Sequence, residues 1–112
     1  MSNEKPIFWI GTSYKDLLSF PVRVKQEAGY QLHRIQNGLE PEDWKPVSTI
    51  GVGVKEIRIK EKEGIFRILY VARLKNGIYV LHAFQKKTQK VRKQDMDITR
   101  VRYSAIVQKE TK

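Results

Sequence analysis

Cysteine is absent from this chain of 112 residues, which removes disulfides, thiolate zinc sites and thiol catalysis together. Histidine occurs only as His33 and His82, with no carboxylate cluster beside either. The spacing therefore offers no metal site, and no cofactor is expected. No apolar run approaches the roughly 20 residues that a membrane span needs. The opening Met1–Pro6 lacks the basic and apolar regions of a secretory signal. The expectation is a cytoplasmic protein with no membrane partner. Internal repeats and low-complexity segments are also missing. Hydrophobic content of 40% and charged content of 30% suit one globular domain over residues 1–112, not a disordered basic tail.

Acidic residues are scarce where basic ones are dense. Residues 54–93 carry twelve Lys/Arg against three Glu, a balance of +9 in a chain whose total is +10. Residues 1–53 are balanced at six against six. The basic block also has the clearest β pattern, so it reads as a cationic sheet surface for a polyanion, nucleic acid first.

Periodicity outlines the fold. Ile7-Phe8-Trp9-Ile10 reads as a buried strand ended by Gly11. Thr12 and Ser13 can cap a short helical turn through Leu17 and Leu18. Pro21 suits the first turn of a second helix, in which Val24, Ala28, Leu32 and Ile35 form one stripe and Asn37-Gly38 the stop. Residues 39–53, with Pro41, Pro46, Gly51 and Gly53, read as a connection, with Trp44 plugging the core edge and Trp9 within the core. Three strands follow, over Glu56–Lys60, Ile65–Leu74 and Ile78–Gln85. Ile98, Val101 and Ala105 then mark a terminal helix beginning near Lys93, with Asp95 and Asp97 at its positive end. The expected class is α+β: an N-terminal strand and helical hairpin packed on a twisted antiparallel sheet, with a short C-terminal helix.

Asn76-Gly77 between two β-rich runs predicts a two-residue hairpin. That register sets Arg67 opposite Lys86, Leu69 opposite Phe84, Val71 opposite His82 and Arg73 opposite Val80. All eight would share one exposed face. Phe66, Ile68, Tyr70, Ala72, Tyr79, Leu81 and Ala83 would form the buried face. Directly opposed cations are unfavourable, so Arg67 beside Lys86 marks a candidate site, with Glu56 of the neighbouring strand as the available counter-charge.

These residues also carry a resemblance. Gly53-Val54-Lys55-Glu56-Ile57-Arg58-Ile59, Phe66-Arg67-Ile68-Leu69-Tyr70 and Leu81-His82-Ala83-Phe84-Gln85-Lys86-Lys87-Thr88 resemble the RelE/ParE superfamily of type II toxins, in its HigB-like, phage-derived Gp49-like branch. The loop Pro41–Pro46 has the same look, and the likeness covers roughly residues 5–105. Val91-Arg92 departs from it, since relatives often carry a proline there. The resemblance implies a RelE-like fold and a toxin that cleaves mRNA on the 70S ribosome. It also implies a toxin that is monomeric when free, and a HigA-like helix-turn-helix antitoxin that holds it in a hetero-oligomeric complex. Some superfamily members poison gyrase without nuclease activity.

Metal-free RNA cleavage needs acid–base groups and preorganised cations. His82 is the acid–base candidate, because its ordinary pKa lies near 6.5. Lys86 is a possible base, and Arg67 and Arg73 would grip phosphate. Arg58, Lys60, Lys87, Lys90, Arg92 and Lys93 would bind RNA through its backbone. Tyr103 could stack on a base or pack in the core. Two other readings fit the charge: a gyrase-poisoning toxin without nuclease activity, and a non-catalytic nucleic-acid-binding protein of phage origin.

Overall fold

The computed structural model describes residues 4–72, 76–86 and 93–110. Eight elements follow in order: β1 (Ile7–Trp9), α1 (Ser13–Leu18), α2 (Val22–Gln36), β2 (Trp44–Pro46), β3 (Val54–Glu61), β4 (Gly64–Val71), β5 (Ile78–Lys86) and α3 (Lys93–Glu110). The five strands make one sheet in the order β1-β5-β4-β3-β2. It is mixed, because β1 runs parallel to β5 while the other pairs are antiparallel. This α+β arrangement is compatible with a RelE-like fold. Among the described residues, no helix is long and apolar enough to cross a membrane.

The helical stripe of α2 is the one its spacing predicts. Val24, Ala28, Leu32 and Ile35 are all buried against the sheet, and His33 and Arg34 sit in the last turn, where cations complement the helix dipole. Pro21 caps α2 rather than entering it, and its carbonyl accepts from Lys25 N–H at 2.9 Å. The short α1 is tied to β5 by fully buried Ser13, whose hydroxyl donates to the Val80 carbonyl at 3.1 Å. Together these helices cover Phe66, Ile68, Tyr70, Ile78, Val80 and Ala83.

The β4–β5 connection differs from the predicted hairpin. β4 ends at Val71 and β5 begins at Ile78, so Asn76-Gly77 is not a two-residue turn. Gly77 serves β1 instead. Ile78 N–H donates to the Pro6 carbonyl at 2.9 Å, and a Cβ on Gly77 would lie 2.5 Å from that same oxygen. The register moves accordingly: Arg67 faces Phe84, Leu69 faces His82 and Ile65 faces Lys86. Past Leu69 it slips once more, with Tyr70 facing Val80 and Val71 facing Tyr79, which leaves Leu81 as the extra residue of a bulge.

That bulge reassigns the faces. Tyr79 and Leu81, expected beside Phe66 and Ile68, instead join Val54, Leu69, Val71 and Phe84 in a second core under α3. The face expected to be open is therefore covered along much of its length. The buried side of α3 is also not the predicted stripe: Val101 is 71% exposed and Ala105 is exposed, while Thr99 and Ile106 are buried. Polar anchors choose the helix rotation. Arg102 donates to the Leu81 carbonyl (2.8 Å) and the Thr12 hydroxyl (3.1 Å), and Tyr103 OH donates to the Val52 carbonyl (2.9 Å). Gly11 and Gly51 give these two side chains room, since a Cβ there would strike Arg102 or Tyr103 within 3 Å.

The predicted connection over 39–53 contains one more strand, β2. Its Trp44 is half-buried at the sheet edge, with the Lys55 ammonium 4.5 Å from the ring centroid. Trp9 is half-buried against the first core and tilted on Tyr14.

Tyr70 OH, within that first core, is buried and makes no hydrogen bond. Burial first, and the nearby negative charge of Glu40 second, push its pKa well above the usual tyrosine value. The folded state then holds this proton more tightly than the unfolded chain. The associated stability is complete below about pH 10 and is lost as pH rises beyond it. Tyr70→Phe should leave neutral-pH stability unchanged or raised by up to about 1 kcal/mol. It should also flatten the alkaline decline in urea midpoints measured from pH 8 to 11.

Candidate nucleic-acid interface

Residues directly opposite each other in an antiparallel sheet share a face, so the register orders the α3 side into rows. The row deepest under α3 is Val54 and Val71. The next is Lys45, Glu56, Leu69 and His82. Then come Arg58, Arg67 and Phe84, and finally Lys60, Ile65 and Lys86 at the β3–β4 hairpin end. Apart from exposed Lys45 at the β2 edge, solvent access rises along this series. Val54 and Leu69 are fully buried, Arg67 is 5% exposed, and Lys60 is open to water. One face thus grades from aliphatic to cationic over four rows.

The opposed cations are not Arg67 and Lys86, which are diagonal neighbours, but Arg58 and Arg67. Each has its own carboxylate. Arg58 donates to Asp43 through Nε (3.2 Å) and Nη2 (2.9 Å), and Arg67 Nη1 pairs with Glu56. Glu56 is wholly buried and also has the Lys45 ammonium at 3.8 Å. Two cations can therefore sit side by side because one acid on β3 and one in the loop before β2 compensate them. Arg67 Nε remains buried without a hydrogen bond.

His82 is buried as well, contrary to the open face expected for it. Its Nε2 lies 2.7 Å from Oδ1 of Asp95 in the first turn of α3, and its ring stacks on Phe84 with centroids 5.2 Å apart. Nδ1 is buried and has no partner among the described residues. His82 and Phe84 also line a cleft of about 440 Å³ with Asp16 of α1 and Ser19 just beyond its end.

Lys86 is half-buried and Lys60 exposed, and neither makes an ion pair among the described residues. Lys93 is largely exposed and pairs with Asp97 at 3.1 Å. Tyr103 is half-buried in the second core, far along α3 from the cationic rows. Arg73, Lys87, Lys90 and Arg92 lie outside the described residues. A groove of about 570 Å³ beside the outer edge of β3 mixes Arg23, Arg58 and Lys60 with Glu27, Glu42, Asp43 and Glu61, so its charge does not select an anion. Among the described residues, no three His, Asp or Glu side chains gather as metal ligands would.

Asp43 and Asp95 were missed as members of the site by sequence reasoning. Asp95 has a local explanation at a helix N-terminus, and nothing in the spacing links it to His82 thirteen residues earlier. Asp43 lies in a loop that gains its role only when β2 pairs with β3.

The buried ion pair makes a stability prediction. Glu56→Leu strands the Arg67 cation and should cost roughly 3–5 kcal/mol in urea unfolding, whereas Glu56→Leu with Arg67→Met should recover most of it. A single mutant as stable as the parent would show that the pair carries no such weight.

The profile of the family described as Phage derived protein Gp49-like (DUF891) matches residues 15–104, which take in α1 through most of α3. No curated protein matches the chain. The match spans the helical hairpin, the β3–β5 rows and the Asp95 turn alike, and so the chain belongs to the Gp49-like phage-derived family, a family associated with RelE-like toxins.

Proposed function

We propose that this chain is the toxin of a type II toxin–antitoxin module in the HigB-like branch. It would cleave mRNA on the ribosome and be held inactive by a HigA-like helix-turn-helix antitoxin. The observation that supports this most is the graded face: Lys60 and Lys86 flank Ile65 at its open end, with Arg58 and Arg67 one row inward. Free ammonium groups at the rim attract a polyanion, and the held guanidiniums are set for phosphate oxygens.

On this reading the ribose 2′-OH gives its proton to His82 Nδ1, and the 2′-oxygen attacks the adjacent phosphorus. The P–O5′ bond breaks, and the leaving 5′-oxygen takes a proton from the Lys86 ammonium, which thus acts as the acid in place of the base role expected from sequence. A 2′,3′-cyclic phosphate and a 5′-hydroxyl result. Arg67 and Arg58 oppose the charge that builds on the phosphorane, and Arg73 was assigned the same task from sequence. Membership of a family associated with RelE-like toxins supports the toxin class.

One observation favours a second reading. Both ring nitrogens of His82 are withdrawn from water, one by Asp95 and one by burial. A gyrase-poisoning toxin would need no accessible acid–base group.

Induced expression in a bacterial host separates the two. The nuclease reading expects rapid translation arrest with new mRNA 5′ ends. Lys60→Ala with Lys86→Ala should weaken RNA binding and lower the slope of log K against log salt by about 0.7–0.9 per lysine. An SOS response with intact mRNA would sink the nuclease reading and support the gyrase one.

A further inference from the structure

The middle of β5 and the first turn of α3 meet in the contact between His82 and Asp95. An ionised carboxylate only accepts hydrogen bonds, so the proton shared with Asp95 resides on Nε2. In the neutral ring, Nδ1 is then a bare lone pair. The ring is held on one side by Phe84 and faced across the sheet by Leu69. Among the described residues, the charged groups about it are Arg67, diagonal to it on β4, Glu56 in the same row beyond Leu69, and Asp16 of α1 on the shared cleft. None of them bonds to Nδ1, which is buried with no partner among the described residues.

A histidine that merely pinned α3 would need only the contact through Nε2. An unsatisfied buried nitrogen costs stability, and such groups call for an occupant or a chemical use. Here the orphan atom belongs to a ring fixed by a carboxylate, on the face that also carries Arg67 and Lys86.

We propose that Asp95 is a positioning residue of this site, fixing His82 as the Nε2–H tautomer so that Nδ1 is the acceptor for a hydroxyl of bound RNA. The assignment rests on the nuclease reading and extends it to a residue that touches no substrate. Asp95 acts through the ring, first by selecting its tautomer and then by stabilising the imidazolium formed when Nδ1 takes the proton.

The test uses the full chain in two ways. Imidazole nitrogen–proton correlation spectra of ¹⁵N-labelled protein without RNA should show His82 with Nε2 protonated and Nδ1 bare. Asp95→Asn, whose amide can donate as well as accept, should populate both tautomers. On mRNA-programmed ribosomes Asp95→Asn should lower kcat about 10²-fold with KM unchanged. Asp95→Glu should recover most of the rate. A wild-type ring protonated on Nδ1, or an Asp95→Asn protein with full kcat, would overturn the assignment. A wild-type chain that cuts no mRNA would overturn the nuclease reading beneath it.

Discussion

Leu81 is one residue too many for the β4–β5 ladder, and the sheet absorbs it as a bulge between the Leu69–His82 and Tyr70–Val80 pairs. Because side chains alternate along a strand, one inserted residue reverses the faces of everything beyond it. Tyr79 and Leu81 thereby turn to the α3 side and become the floor on which α3 lies. The Leu81 carbonyl accepts the Arg102 guanidinium. A helix with weak apolar patterning is thus placed by a displaced strand residue and a small set of polar anchors, with the Asp95–His82 contact at its start.

Both faces of the sheet are consequently covered, but unequally. The α1–α2 side is an ordinary aliphatic core built on a clear 3.6-residue stripe. The α3 side is buried only where its rows are apolar. Toward the β3–β4 hairpin it turns cationic, and water reaches it. Burying Arg67 there requires a compensating acid, which Glu56 supplies from the adjacent strand. Holding Arg58 directly opposite requires another, supplied by Asp43. Fixed guanidiniums at the inner rows and unpaired lysines at the rim make a face whose positive charge is partly held in place and partly free to meet a ligand.

Much of this was legible beforehand. The α2 stripe, β3, β4, β5 and the existence of α3 each rest on local periodicity, and each appears within a few residues of its expected position. Side-chain parity also survived: Arg67, His82 and Lys86 share a face, because the register moved by an even number of residues before the bulge. The opposed pair itself was wrong, since Gly77 serves the crossing of β1 rather than a tight turn. The rotation of α3 was wrong too, because Ile98, Val101 and Ala105 are no better a stripe than Met96, Thr99, Tyr103 and Ile106 until the anchors of the helix are known.

Local sequence alone determined which segments are helix or strand, and it concentrated the positive charge on the strand block. Those properties come from neighbours a few residues apart, which the chain carries folded or not. Tertiary structure alone decided that Asp43 compensates Arg58 and that Asp95 meets His82, while the Glu56 counter-charge already legible from the strand order reached Arg67 through the final register. Each of these depends on a register or a helix rotation, and both are set by long-range contacts: β1 drawing in Gly77, the bulge at Leu81, and Arg102 reaching across to it.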